Sequence, residues 1–88
     1  MRLESSQTAV LKVSIQNTGP QPWAGAYVEV EHPSLSGMSI PVSLRPGEST
    51  EVEVRVTNTS YSALDVPELL FRFRSLTGEV YYEEHVAL

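Results

Sequence analysis

The chain of 88 residues contains no cysteine and a single lysine, Lys12. Without cysteine there is no disulfide, no thiolate metal site and no cysteine nucleophile. The compartment stays open, because a cysteine-free domain can live inside or outside the cell. Six basic residues stand against eleven acidic ones, a formal net charge of −5. Such a chain repels phosphate backbones, so nucleic acid is not an expected partner. No run of about 18 apolar residues occurs, and Met1 to Gln7 hold no apolar stretch of signal-peptide type, so neither membrane insertion nor an export address of the chain's own is expected. Glycine-rich phosphate loops are missing, and no serine sits in a G-x-S-x-G elbow. The reading is of a protein without catalytic chemistry and without a cofactor. No stretch of about ten residues has helical periodicity.

What is present is alternation. Leu11, Val13 and Ile15 are separated by polar residues, as are Ala26, Val28 and Val30, then Ile40, Val42 and Leu44. Val52, Val54 and Val56 repeat the pattern in β-branched residues, which suit a half-buried pleated surface. Leu69, Phe71 and Phe73 follow, then Val80, Tyr82 and Val86, and Leu64 with Val66 adds a shorter run. A period of two is the strand signature. Between the runs lie turn formers with distinct physical roles: Asn17-Thr18-Gly19-Pro20, Arg45-Pro46-Gly47-Glu48 with the proline and glycine of a type II turn, and the short hairpin Leu76-Thr77-Gly78-Glu79. Pro41 cannot donate to a ladder and marks an edge. About seven short strands with turn signals every 8 to 12 residues or so describe an all-β, antiparallel sandwich of immunoglobulin-like or fibronectin III-like type, one domain over residues 1–88. A chain of this length buries only about 60% of its unfolded surface, which disfavours a deep enclosed cavity.

Two segments echo each other: VSIQNTGP at 13–20 and VRVTNTSY at 54–61. Both are alternating strands closed by Asn-Thr, and they read as two strand endings solved alike, with Asn17 and Asn58 as turn formers. The pattern V-x-I-x-N-T-G at 13–19, Pro22-Trp23, and L-R-P-G-E-S-T-E-V-E-V-R-V at 44–56 resembles the bacterial and archaeal β-sandwich accessory modules of CARDB type and those appended to glycoside hydrolases. The resemblance spans roughly residues 8–60. It implies a non-catalytic structural or binding module whose partners are the other domains of a larger, extracellular or cell-surface protein. A similar cadence occurs in adaptin-type ear domains. No ligand-contacting residue carries over, because the matching positions are turn and core residues.

Candidate sites follow from the polar outer positions. Arg72 and Arg74 share one strand face, and with Arg55 nearby they would form a positive stripe able to dock an acidic peptide; pairing with Glu79, Glu83 or Glu53 would cancel it. Trp23, Tyr27 and Tyr81 could stack on a carbohydrate, although Trp23 also suits the edge of a core. Glu83 and His85 share a face, Glu29 and Glu31 another with His32 opposite, and Glu29, Glu31, Glu51 and Glu53 on neighbouring strands would offer oxygens to calcium. For all of these the ordinary role is a solvated, solubilising face. Asn58-Thr59-Ser60 fits the N-glycosylation acceptor pattern. The charged outer positions and Pro41 point to a monomer in isolation.

Overall fold

The alternating runs become strands because each can bury one face only by pairing with neighbours. A computed structural model describes residues 1–88 and contains nine strands and no helix. They are β1 (Arg2–Leu3), β2 (Thr8–Gln16), β3 (Trp23–Val30), β4 (Leu35–Met38), β5 (Val42–Leu44), β6 (Ser49–Asn58), β7 (Leu64–Asp65), β8 (Glu68–Arg74) and β9 (Val80–Ala87). One sheet has the order β2-β6-β4 and the other β5-β3-β8-β9, while β1 and β7 form a two-residue ribbon. Every pairing is antiparallel.

The two sheets close on one apolar cluster. Val13, Ile15, Val52, Val54 and Val56 come from the three-stranded sheet; Val28, Leu69, Phe71 and Phe73 come from the four-stranded one. Gly37 of β4 sets how near the sheets approach: a Cβ there would lie 2.9 Å from Val30 Cγ1 of β3. Trp23, the first residue of β3, joins the cluster, stacked against Phe73 and Tyr81 with interplanar angles of 16° and 9°.

Two expectations change. The run over 39–44 is not one strand. Chain pairing with β6 ends at Met38, the segment crosses between sheets through Ser39-Ile40-Pro41, and pairing resumes with β3 at Val42. Pro41 has no N–H for either ladder, and Ile40, expected inside, is 80% exposed. The strand count also differs, because β1 has only two residues and β4 carries Gly37, without a side chain, where alternation would show a second apolar residue.

The echo noted in the sequence is the visible part of a larger repeat. Residues 41 positions apart occupy equivalent places: Leu3 and Leu44, Ser6 and Gly47, Asn17 and Asn58. The turn before β6 is closed by Glu48 N–H donating to Arg45 O (3.0 Å), and the turn before β2 by Gln7 N–H donating to Glu4 O (3.0 Å). Gly47 has φ 87° and Ser6 φ 63°, so the same left-handed position is filled once by the residue that adopts it freely and once by serine. At the far end of each strand the exchange is reciprocal. Asn17 N–H donates to Glu48 O and Gly47 N–H to Asn17 O; Asn58 N–H donates to Gln7 O and Ser6 N–H to Asn58 O. Leu44 pairs with Trp23, and Leu3 pairs with Leu64, again 41 residues on from each other. β2 and β6 therefore lie side by side as two copies of one turn-strand-corner unit, related by an approximate two-fold axis.

Candidate functional site

Register places the charged side chains before any site is considered. Glu29 of β3, Arg72 of β8 and Glu83 of β9 stand directly across from one another on the outer face of the four-stranded sheet. Arg72 approaches Glu31 at 2.8 Å, Glu83 at 3.2 Å and Glu29 at 3.5 Å, and its side chain is 19% exposed. Burial alone would push the Arg72 guanidinium down. The hydrogen bond to Glu83 and the charges of Glu31 and Glu83 outweigh that, so its pKa lies above the ordinary arginine value. Arg74 donates through Nη1 to Gly78 O (2.9 Å) and lies 3.2 Å from Glu29 Oε2 through Nε. That last contact is electrostatic only, because the buried Nε–H has no aligned acceptor.

The expected positive stripe is therefore a row of two arginines among three glutamates, with a net negative sum. Of the partners anticipated from sequence Glu83 is realised, while Glu29 and Glu31 replace Glu79 and Glu53. Arg55 is not beside Arg72 and Arg74: it lies on β6, in the other sheet. The same separation divides the four glutamates proposed for calcium, since Glu29 belongs to β3 and Glu51 and Glu53 to β6. No three His, Asp or Glu side chains of the chain converge on a point that could hold a metal ion. His32 has a local role, accepting the Ser34 N–H at Nδ1 (3.0 Å).

Trp23 is 4% exposed and stacked within the core, so its ring offers no face to a sugar. Tyr81, its stacking partner, is half-buried, and Tyr27 is exposed across from Arg74. The three aromatic positions do not make one platform.

Asn17 and Asn58 are fully buried. Asn17 Nδ2 donates to Gln21 O (2.8 Å) and Leu44 O (3.1 Å) while Oδ1 accepts from Gly19 N–H (3.0 Å). Asn58 Nδ2 donates to Ser62 O (2.8 Å) and Leu3 O (3.1 Å) while Oδ1 accepts from Ser60 N–H (2.9 Å). Each side chain ties its own loop to a strand far away in sequence. Asn58 thus cannot carry a glycan in the folded protein, because the nitrogen that would be glycosylated is enclosed and donating twice. The sequence carried a signal for this: Asn17 is in phase with Val13 and Ile15, and Asn58 with Val54 and Val56, the inward positions.

Of the sheets' unpaired edges, one lies beside an apolar groove, and residue chemistry alone did not point to it. β6 pairs with β2 over its whole length, from Ser49 to Thr57, but with β4 only over Arg55–Asn58. Along Ser49–Val54 the lane beside β6 is empty because the chain has crossed to the other sheet. Asn58 N–H points to β2, donating to Gln7 O, and Thr59 N–H points to the β4 side, donating to Ser34 O. The period of two then directs the N–H and C=O of Glu51 and Glu53 into the empty lane. An open groove of about 740 Å³ runs beside it, lined by Met38, Ile40, Pro41, Val42, Val52, Glu51, Glu53 and Arg55 among others. Met38 is 70% exposed.

No protein-family model matches the chain, and no curated protein or solved structure matches it. The resemblance to accessory sandwich modules accordingly rests on the turn and core residues quoted above.

Proposed function

We propose that this protein is a non-catalytic, immunoglobulin-like or fibronectin-like module that serves a larger protein as a binding unit, taking an extended polypeptide segment as an added strand on the open half of β6. The observation that carries this reading is the empty lane at Ser49–Val54 beside an apolar groove. Strand addition uses backbone hydrogen bonds for affinity and flanking pockets for selection. The lane is six residues long, roughly 20 Å, which matches an ordinary strand. The groups that suggested other functions support it indirectly: the Arg72 guanidinium is neutralised by three carboxylates, and the Trp23 ring is enclosed in the core.

Titration of the isotope-labelled chain with heptapeptides of alternating polar and apolar residues tests this by amide chemical shift. Binding at the edge moves the amides of Thr50–Val54 and slows hydrogen exchange at Glu51 and Glu53, whose N–H groups face the lane, leaving β3 and β8 still. Shifts confined to the Arg72 face, or none with any peptide, overturn it.

A further inference from the structure

The open lane also carries chemistry that selects its occupant. We infer that the segment recognised on the β6 edge has a basic–apolar–basic alternation; this rests on the edge-binding reading above and adds the partner's charge class. A strand in that lane places two residues directly across from Glu51 and Glu53 on the outer face, with the residue between them facing inward beside Val52. Cross-strand neighbours of opposite charge stabilise a pair and like charges destabilise it. Glu53 has no cation within 4.0 Å, although Lys12 is its register partner on β2; Lys12 Nζ instead reaches Glu51 at 3.9 Å, with both side chains exposed. The pair of acids is thus underneutralised on the side that faces the lane. The intervening side chain enters the groove between Val52 and the Ile40-Pro41-Val42 wall, where an apolar group fits. Arg55 stands at the closed end, opposite Met38, where it lines the groove but makes no ion pair with Glu51 or Glu53.

A second copy of the chain does not supply this segment. Its one basic–apolar–basic run is Arg72-Phe73-Arg74, in which Phe73 is fully buried and both ladder sides are taken by β3 and β9. The partner is therefore a different polypeptide, and the pattern also discriminates against the edge of β2, which presents Lys12 at its centre.

Three capped heptapeptides alternating valine with lysine, threonine or glutamate, and a backbone N-methylated form of the lysine peptide, test the inference on the intact chain. The lysine–valine peptide is expected to bind about five- to tenfold more tightly than the threonine–valine peptide at low salt, as two exposed charge pairs provide. It should move the Glu51 and Glu53 amides and lose its advantage in about 1 M NaCl, where screening acts within about 3 Å. Glutamate–valine should bind least. The advantage should also vanish in the Glu51→Gln/Glu53→Gln variant, whose fold is checked by its own spectrum. Equal binding of all three charge types at the edge overturns the charge class while leaving edge binding intact. Undiminished binding of the N-methylated peptide, or shifts away from Thr50–Val54, overturns both.

Discussion

Asn17 and Asn58 contribute what no apolar residue at those positions could. Each fills an inward position at the end of its strand yet satisfies a loop carbonyl, a distant strand carbonyl and a loop N–H at once. Truncating either leaves buried partners without bonds, and a buried group left unsatisfied costs about 1–3 kcal/mol. Asn17→Ala and Asn58→Ala are each expected to lower the unfolding free energy by about 3 kcal/mol, measured by urea denaturation. Their similarity in environment predicts similarity in cost. Asp at either site should be no better, because it removes the amide donor and buries a charge. A loss below about 0.5 kcal/mol at both positions would show that the corners are not structural ties.

At the scale of elements, the decisive piece is β4. Its four residues complete only part of the β6 edge before the chain changes sheet, and that early departure creates the lane. Departure at Met38 follows from two local features. Gly37 is pressed against Val30 of the opposite sheet, so the strand sits where the sheets nearly touch, and Pro41 lies on the segment that crosses to the other sheet. Gly37→Ala should therefore force Val30 aside and cost about 1–3 kcal/mol, seen as a lowered urea midpoint. An unchanged midpoint would mean that the β3–β4 contact is loose. The row Glu29–Arg72–Glu83 illustrates the other way in which strands assign roles: register alone, and not sequence proximity, brought the three together.

For the molecule as a whole, one titrating group makes a contribution to stability that falls at alkaline pH. Tyr82 sits against Trp23 and Phe73. Burial, then the charge of Glu84 and the hydrogen bond to it at 3.2 Å, push its hydroxyl above the ordinary value of 10.0. The folded state therefore keeps this proton when the unfolded chain has lost it. The contribution to stability is complete below pH 10.0 and declines as pH rises from there through the folded value. Thermal melts across that range should show the wild type losing stability more steeply than Tyr82→Phe; parallel slopes would remove Tyr82 from the account.

Much of this protein was determined by the sequence itself. Alternation with a period of two places Val13, Val54, Phe71 and their neighbours inside, because a pleated strand has only two faces. Gly47 and Gly78 fall at left-handed turn positions, as their turns required. The inward phase of Asn17 and Asn58 was equally present, though the burial it implied depended on loops folding back over each amide. Tertiary structure alone decided which strands became neighbours. It separated Arg55 from Arg72, gave Glu29 and Glu31 to the arginines, enclosed Trp23, and left β6 half unpaired. Those outcomes depend on register and sheet order, which arise from contacts far apart in the chain, whereas facing and turning are fixed within a few residues.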